Sequence, residues 1–208
     1  MQFPTPRATI TLVAVTSVAW LIASSGGLVD VAAELAGFIP ARATGAATVP
    51  GAIPFVLTPL TATLVHAGIV HLAFNMLMLG FCGRMGEAAL GRWGMVLLYV
   101  LGAYAAAAAQ YAIDPTSQAP MVGASGAISA LVGAYALLFG QRRGNVTGRS
   151  GELLHILWLA AAWIGLQLLL NFAIAGEGPM IATAAHVGGF LLGLILARPI
   201  LRFRYRNA

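Results

Sequence analysis

The sequence predicts an all-α polytopic membrane protein, a six-transmembrane-helix bundle forming a single membrane domain over residues 1–208. Three observations carry that prediction. Of the 208 residues, 60% are hydrophobic and only 8% are charged, where soluble domains average roughly 45–50% apolar and about 25% charged residues. Mean hydropathy is +0.88. The apolar residues fall into six runs close to the roughly 20 residues that a spanning helix needs, and none shows the period of two expected of a barrel strand. A soluble globular protein is thereby excluded. So are an intrachain disulfide and a CxxC metal pair, because Cys82 is the only cysteine in the sequence.

The six spans are predicted approximately over residues 8–25, 60–81, 93–112, 121–139, 153–174 and 180–200. Ser25-Gly26-Gly27 ends the first. Its single Arg7 and the Ser24-Ser25-Gly26 stretch also suit a cleaved signal peptide, but the length of the apolar run and the charge pattern favour retention. An outer loop, 26–59, follows. It holds Pro40, Pro50, Pro54 and Pro59 among apolar pieces, and a loop of this length is expected to be functional, with an element lying in the outer interface. Further breakers fall at 83–91, at Asp114-Pro115, and at 141–151 and 176–179.

Charge sets the orientation. Ten of the 11 arginines (Arg7, Arg84, Arg92, Arg142, Arg143, Arg149, Arg198, Arg202, Arg204, Arg206) lie on one set of segments, leaving Arg42 on the other with Asp30, Glu34, Asp114 and Glu177. The positive-inside rule then makes both termini cytosolic, and the short tails and bare six-span core suit a bacterial plasma membrane. The arginines suit anionic lipid headgroups. No tail is long or basic enough for a nucleic-acid partner, despite a pI near 10.1.

Polar side chains within spans are costly and mark function by default. Here they collect on three helices: His66, His71 and Asn75 on the second, Ser125 and Ser129 on the fourth, His186 on the sixth. By the topology above, all three helices start outside, so the group shares the outer leaflet. Small-residue stripes, Ser125-Ser129-Gly133 and Ala185-Gly189-Gly193-Ala197, allow the fourth and sixth helices to pack backbone to backbone. His71 and Asn75 share a face at i, i+4; His66, roughly 140° around the same helix, is expected to look elsewhere. For Gln167 and Asn171, an i, i+4 pair on the fifth span, packing or water contact is the first expectation and substrate contact the second. His155, at the cytosolic start of that span, is expected to be interfacial.

Gly123-Ala124-Ser125-Gly126 is a GxSG motif, weak alone. Its glycines leave the hydroxyl unshielded, and unpaired amides at a helix start can stabilise an oxyanion. Nucleophilic catalysis needs a serine with a base in reach. Ser125 as nucleophile and His186 as general base meet that need, with Asn75, His71 and the Ser125 backbone N–H as oxyanion donors. No carboxylate lies near enough to complete a triad: Glu87 falls about 18 Å further along the helix than Asn75. The expectation is a Ser/His dyad oriented by packing, with no metal and no cofactor.

His66-Ala-Gly-Ile-Val-His71-Leu-Ala-Phe-Asn75, Gly123-Ala-Ser125-Gly126 and Ala185-His186-Val-Gly-Gly189-Phe-Leu-Leu-Gly193 together resemble the rhomboid family of intramembrane serine proteases, over a core of approximately residues 55–200. The resemblance implies Ser125 as nucleophile, His186 as base, Asn75 and His71 lining the oxyanion pocket, and Gly123, Gly126, Gly189 and Gly193 as motif glycines. It also implies single-span membrane-protein substrates, cut near their outer ends at a small residue after lateral admission near the fifth span. Two positions depart from the family pattern. Phe55-Val56-Leu57-Thr58 replaces a Trp-Arg pair in the first outer loop. Ser129 stands where an aromatic often supports the histidine, so His186 must be held otherwise, with a hydrogen bond to Ser129 as one expectation. The competing readings are a catalytically silent rhomboid-like binder of membrane clients, bis-histidine haem ligation and a transporter. The first would lack Ser125 or His186, and the last would need paired broken helices in two related halves.

Overall fold

The computed structural model describes residues 5–140, 148–173 and 182–206, with backbone alone at 170–173. Arg142, Arg143, Glu177, the side chain of Asn171 and the breaker at 176–179 lie outside the described residues. Among the described residues every regular element is helical, apart from one antiparallel bridge between Phe38 and Met121.

Helix α1 (Arg7–Ser25) is apolar on nearly all sides and stops where Gly27 turns to φ +65. Its first amides are capped from a distant part of the chain. Glu87 accepts from the backbone N–H of Ala8 (3.1 Å) and from both the N–H and the hydroxyl of Thr9 (2.9 Å each). A carboxylate at a helix N-terminus satisfies orphan donors and opposes the helix dipole. Glu87→Ala should therefore destabilise the folded protein by about 1.5–3 kcal/mol, the range for hydrogen bonds to a charged group. Thermal unfolding in detergent would read this, and an unchanged midpoint would contradict it.

The first loop contains a short helix, α2 (Val29–Ala36), which exposes its Val31 and the preceding Leu28. Arg42, the one arginine expected outside, donates to the Ile53 carbonyl at 2.8 Å and folds the loop on itself. A 3₁₀ turn (Phe55–Leu57) leads into α3 (Thr58–Thr61) and a second 3₁₀ turn (Ala62–Leu64).

The second span starts later than the sequence predicts. Val65 and Gly68 are extended, so the apolar stretch 60–68 is not part of the long helix. α4 (Ile69–Met78) continues through a π turn (Leu79–Gly83) into α5 (Arg84–Ile113). The loop predicted at 83–91 shrinks to one residue, Gly91, at φ 77 and ψ 163. There the rod folds back: Gly86 faces the Met95 side chain, though nine residues of straight helix would separate them by about 13.5 Å. The remaining helices are α6 (Ser125–Phe139), α7 (Gly148–Ala173) and α8 (Thr183–Arg204).

Among the described residues, four helical stretches are long and apolar enough to cross a membrane: Arg7–Ser25, Ile69–Ile113, Gly148–Leu169 and Thr183–Arg204. The second is broken at Gly91, and Ser125–Phe139 is apolar but shorter. By length alone the count is four where the sequence predicts six. α5, α6 and α8 form the centre, with Leu98, Met95 and Leu131 fully buried. α1 and α7 present Val18, Leu21, Leu157 and Leu168 outward, as lipid-facing helices do. One end of the bundle gathers the Glu87 cap, the Gly91 turn and the end of α8, where Arg204 donates to the Ala88 carbonyl at 2.7 Å. Arg198 and Glu152 form an ion pair joining α8 to the start of α7.

Candidate active site

Ser125 is the first residue of α6, rather than a residue five positions into a longer helix, and the chain before it is pinned on several sides. Phe38 and Met121 exchange backbone hydrogen bonds at 3.0 and 2.8 Å, and the Gly123 N–H donates to the Ala62 carbonyl at 2.9 Å. The Ala124 N–H donates to Nε2 of His66 at 3.5 Å. Gly123 has φ +108, a conformation that side chains with a Cβ rarely adopt. A Cβ built there would lie 2.7 Å from the His71 ring. His71 therefore sits directly against the backbone that precedes Ser125.

His186 reaches the same point from α8. Its Nε2 lies 2.7 Å from Ser125 Oγ, and its Nδ1 lies 3.2 Å from Gln167 Oε1 on α7. The approach depends on residues without side chains. A Cβ on Gly189 would strike the Gly126 carbonyl, one on Gly193 the Ala130 carbonyl, and one on Gly133 the Phe190 carbonyl. Gly126 itself makes room for the Ala106 methyl on α5. The two stripes read from the sequence are the surfaces in contact.

Asn75 is buried on α4, and its amide N–H donates to the His71 carbonyl one turn earlier at 2.8 Å. Its Oδ1 is buried without a hydrogen-bond partner among the described residues. Asn75, Ser125, Ser129, Gln167 and His186 line a cavity of about 130 Å³. It lies between α4 and α7, with the exposed Phe74 on its wall.

Several sequence expectations are corrected here. His66 does not look elsewhere: it is 1% exposed, its ring centroid is 5.0 Å from that of His71, and it caps Ala124. The helical angle count fails because His66 precedes the extended Gly68 and is not on α4. Burial, with the neighbouring His71 adding to it, lowers the His66 imidazole from its ordinary 6.5 to about 4, so the neutral ring can accept from Ala124. Ser129 does not hold His186; its hydroxyl donates to the Ser125 carbonyl at 2.8 Å, the i−4 bond that serine makes readily inside a helix. His155, near the start of α7, is buried within the protein. Gln167 touches His186 directly instead of serving as general packing. The signal for it was a polar residue on an apolar helix, four positions after Trp163, whose indole N–H donates to the His186 carbonyl at 3.3 Å.

A family model described as Rhomboid domain matches residues 56–203. The chain belongs to the rhomboid family. Among curated relatives, this rhomboid is 33% identical over 145 residues to the "Rhomboid protease GlpG" of Serratia proteamaculans (strain 568), covering 68% of this chain and 47% of the relative. It is 31% identical over 133 residues to "Rhomboid-related protein 2" of Mus musculus, covering 63% of this chain and 43% of that protein. The "Rhomboid protease GlpG" of Enterobacter sp. (strain 638) matches at 31% over 141 residues, 66% of this chain and 46% of the relative. The match thus spans less than half the length of these relatives. Family and apolar helices together make this rhomboid a polytopic integral membrane protein.

Proposed function

We propose that this rhomboid is an intramembrane serine endopeptidase in which Ser125 is the nucleophile and His186 the general base. The observation that supports this most is the 2.7 Å separation of Ser125 Oγ and His186 Nε2 beside a cavity. The relatives named rhomboid protease support the reaction class. Nε2 takes the hydroxyl proton as Oγ attacks the scissile carbonyl, then gives it to the departing amine. Water repeats the sequence on the acyl-enzyme. The Ser125 N–H, Asn75 and His71 receive the oxyanion; Asn75 Nδ2 has a second N–H beyond the one given to the His71 carbonyl.

In the same proposal the two limbs on either side of Gly91, with α1, α6, α7 and α8, make six spans. Residues 55–200 form the rhomboid core of a single membrane domain. Both termini are cytosolic, the membrane is the bacterial plasma membrane, and the site opens to the outer side. Substrates are single-span membrane proteins admitted between α4 and α7, where the cavity lies, and cut at a small residue near their outer ends.

The test is labelling of the purified, detergent-solubilised protein with a serine-directed fluorophosphonate probe. The parent should label and Ser125→Ala should not. A well-folded parent that does not label would favour a catalytically silent binder of membrane clients.

A further inference from the structure

We propose that Gln167 is a positioning residue that fixes the tautomer and ring direction of His186; the assignment rests on the Ser125–His186 dyad proposed above. His155, Leu159, Trp163 and Gln167 stand at i, i+4 spacing along α7, one row on the helix surface. His155 and Gln167 are buried, while Leu157, Leu166, Leu168 and Leu169 on the other faces are exposed. The last two members of the row both bond to His186. The Trp163 indole N–H donates to its carbonyl at 3.3 Å, and Gln167 Oε1, on a side chain only 4% exposed, lies 3.2 Å from its Nδ1. The Trp163 ring also stacks on Phe190 at 4.8 Å and 7°, which sets the register of α7 against α8.

An amide oxygen can only accept a hydrogen bond, so this contact requires the proton on Nδ1. A neutral imidazole carries one N–H. Nε2 is then the unprotonated nitrogen, and it is the one facing Ser125 Oγ at 2.7 Å. That is the state in which a general base can act. When Nε2 takes the serine proton, the same amide oxygen faces the N–H of a cation, the arrangement that stabilises it. The burden falls on Gln167 because Ser129 bonds to its own helix. Held this way, the base is aligned from α7, a helix otherwise turned towards lipid.

The experiment reads the tautomer directly, by 15N NMR of histidine-labelled protein in micelles, with His186 assigned against His186→Ala. Labelling rates with the fluorophosphonate are measured alongside. The parent should show the Nδ1–H form. Gln167→Met, of similar length but without the acceptor, should populate the Nε2–H form. It should also label about tenfold to hundredfold more slowly, part of the roughly 10²–10⁴ that general-base catalysis contributes. Gln167→Glu keeps an accepting oxygen and should restore the Nδ1–H form and most of the rate. Gln167→Leu stands in if the Met variant does not fold. An unchanged tautomer in the apolar variant, or equal rate losses in the Met and Glu variants, would overturn the assignment. The spectrum needs no turnover, so a parent that never labels would remove the dyad reading while the Gln167 contact is still judged on its own.

Discussion

His186→Ala is expected to slow fluorophosphonate labelling of Ser125 by about 10²–10⁴, the range that general-base catalysis supplies. The hydroxyl stays in place at the start of α6, but the nitrogen 2.7 Å away that would take its proton is gone. Some destabilisation accompanies the change, since Gln167 loses the partner of its buried oxygen. An orphaned buried acceptor costs about 1–3 kcal/mol. A shift of that size leaves the folded fraction of a protein stable by several kcal/mol nearly intact, so it cannot produce a hundredfold loss of labelling. Unfolding midpoints measured beside the rates separate the two effects. Added imidazole, small enough for the vacated space beside the cavity, should recover part of the rate. Labelling of the variant within about tenfold of the parent would remove His186 as the base.

The close approach of α6 and α8 is legible in the sequence because it depends on what is absent. Two glycines and two alanines at i, i+4 spacing leave a helix face with nothing to hold another helix away, and His186 stands at the edge of that face. The ends of α1 and α5 are legible for a similar local reason: Gly26-Gly27 and Asp114-Pro115 break the helix wherever it packs. The second span is harder to read. Hydropathy counts Leu60–Leu64 as part of the spanning helix, yet those residues are the end of α3 and a 3₁₀ turn packed beside the start of α6, with Ala62 accepting from Gly123. An apolar loop and an apolar helix look alike to a hydropathy window. Counting those residues as helix puts His66 on it and hides its cap on Ala124. Gln167 could not be placed from local pattern, because its role depends on how α7 is rotated against its neighbours. A bond from Ser129 across the interface competes with the carbonyl four residues back, which lies within its reach and takes the hydroxyl.

Gly189→Val should lower stability and labelling together, and by more than a propensity change can explain. A Cβ at position 189 would collide with the Gly126 carbonyl, one residue after Ser125, and would also press on the Ser129 side chain. Neither neighbour is a flexible side-chain end that can swing aside. The helices must separate, and Gly193 and Gly133, in contact with the Ala130 and Phe190 carbonyls, resist that separation along the same seam. Overpacking of this kind costs about 1–3 kcal/mol and occasionally more. Catalysis suffers further, since a misplacement of about 1 Å between reacting groups can cost roughly 10²-fold. Gly165→Ala on α7 is the control, because nothing lies within 4 Å of a Cβ there. It should be neutral or stabilising by up to about 1 kcal/mol, the helical advantage of alanine over glycine. If Gly189→Val unfolds at the parent temperature and labels at the parent rate, the α6–α8 contact does not set the Ser125–His186 distance. If it loses stability while keeping its labelling rate, α8 has shifted without moving His186, and the base is then held chiefly from α7.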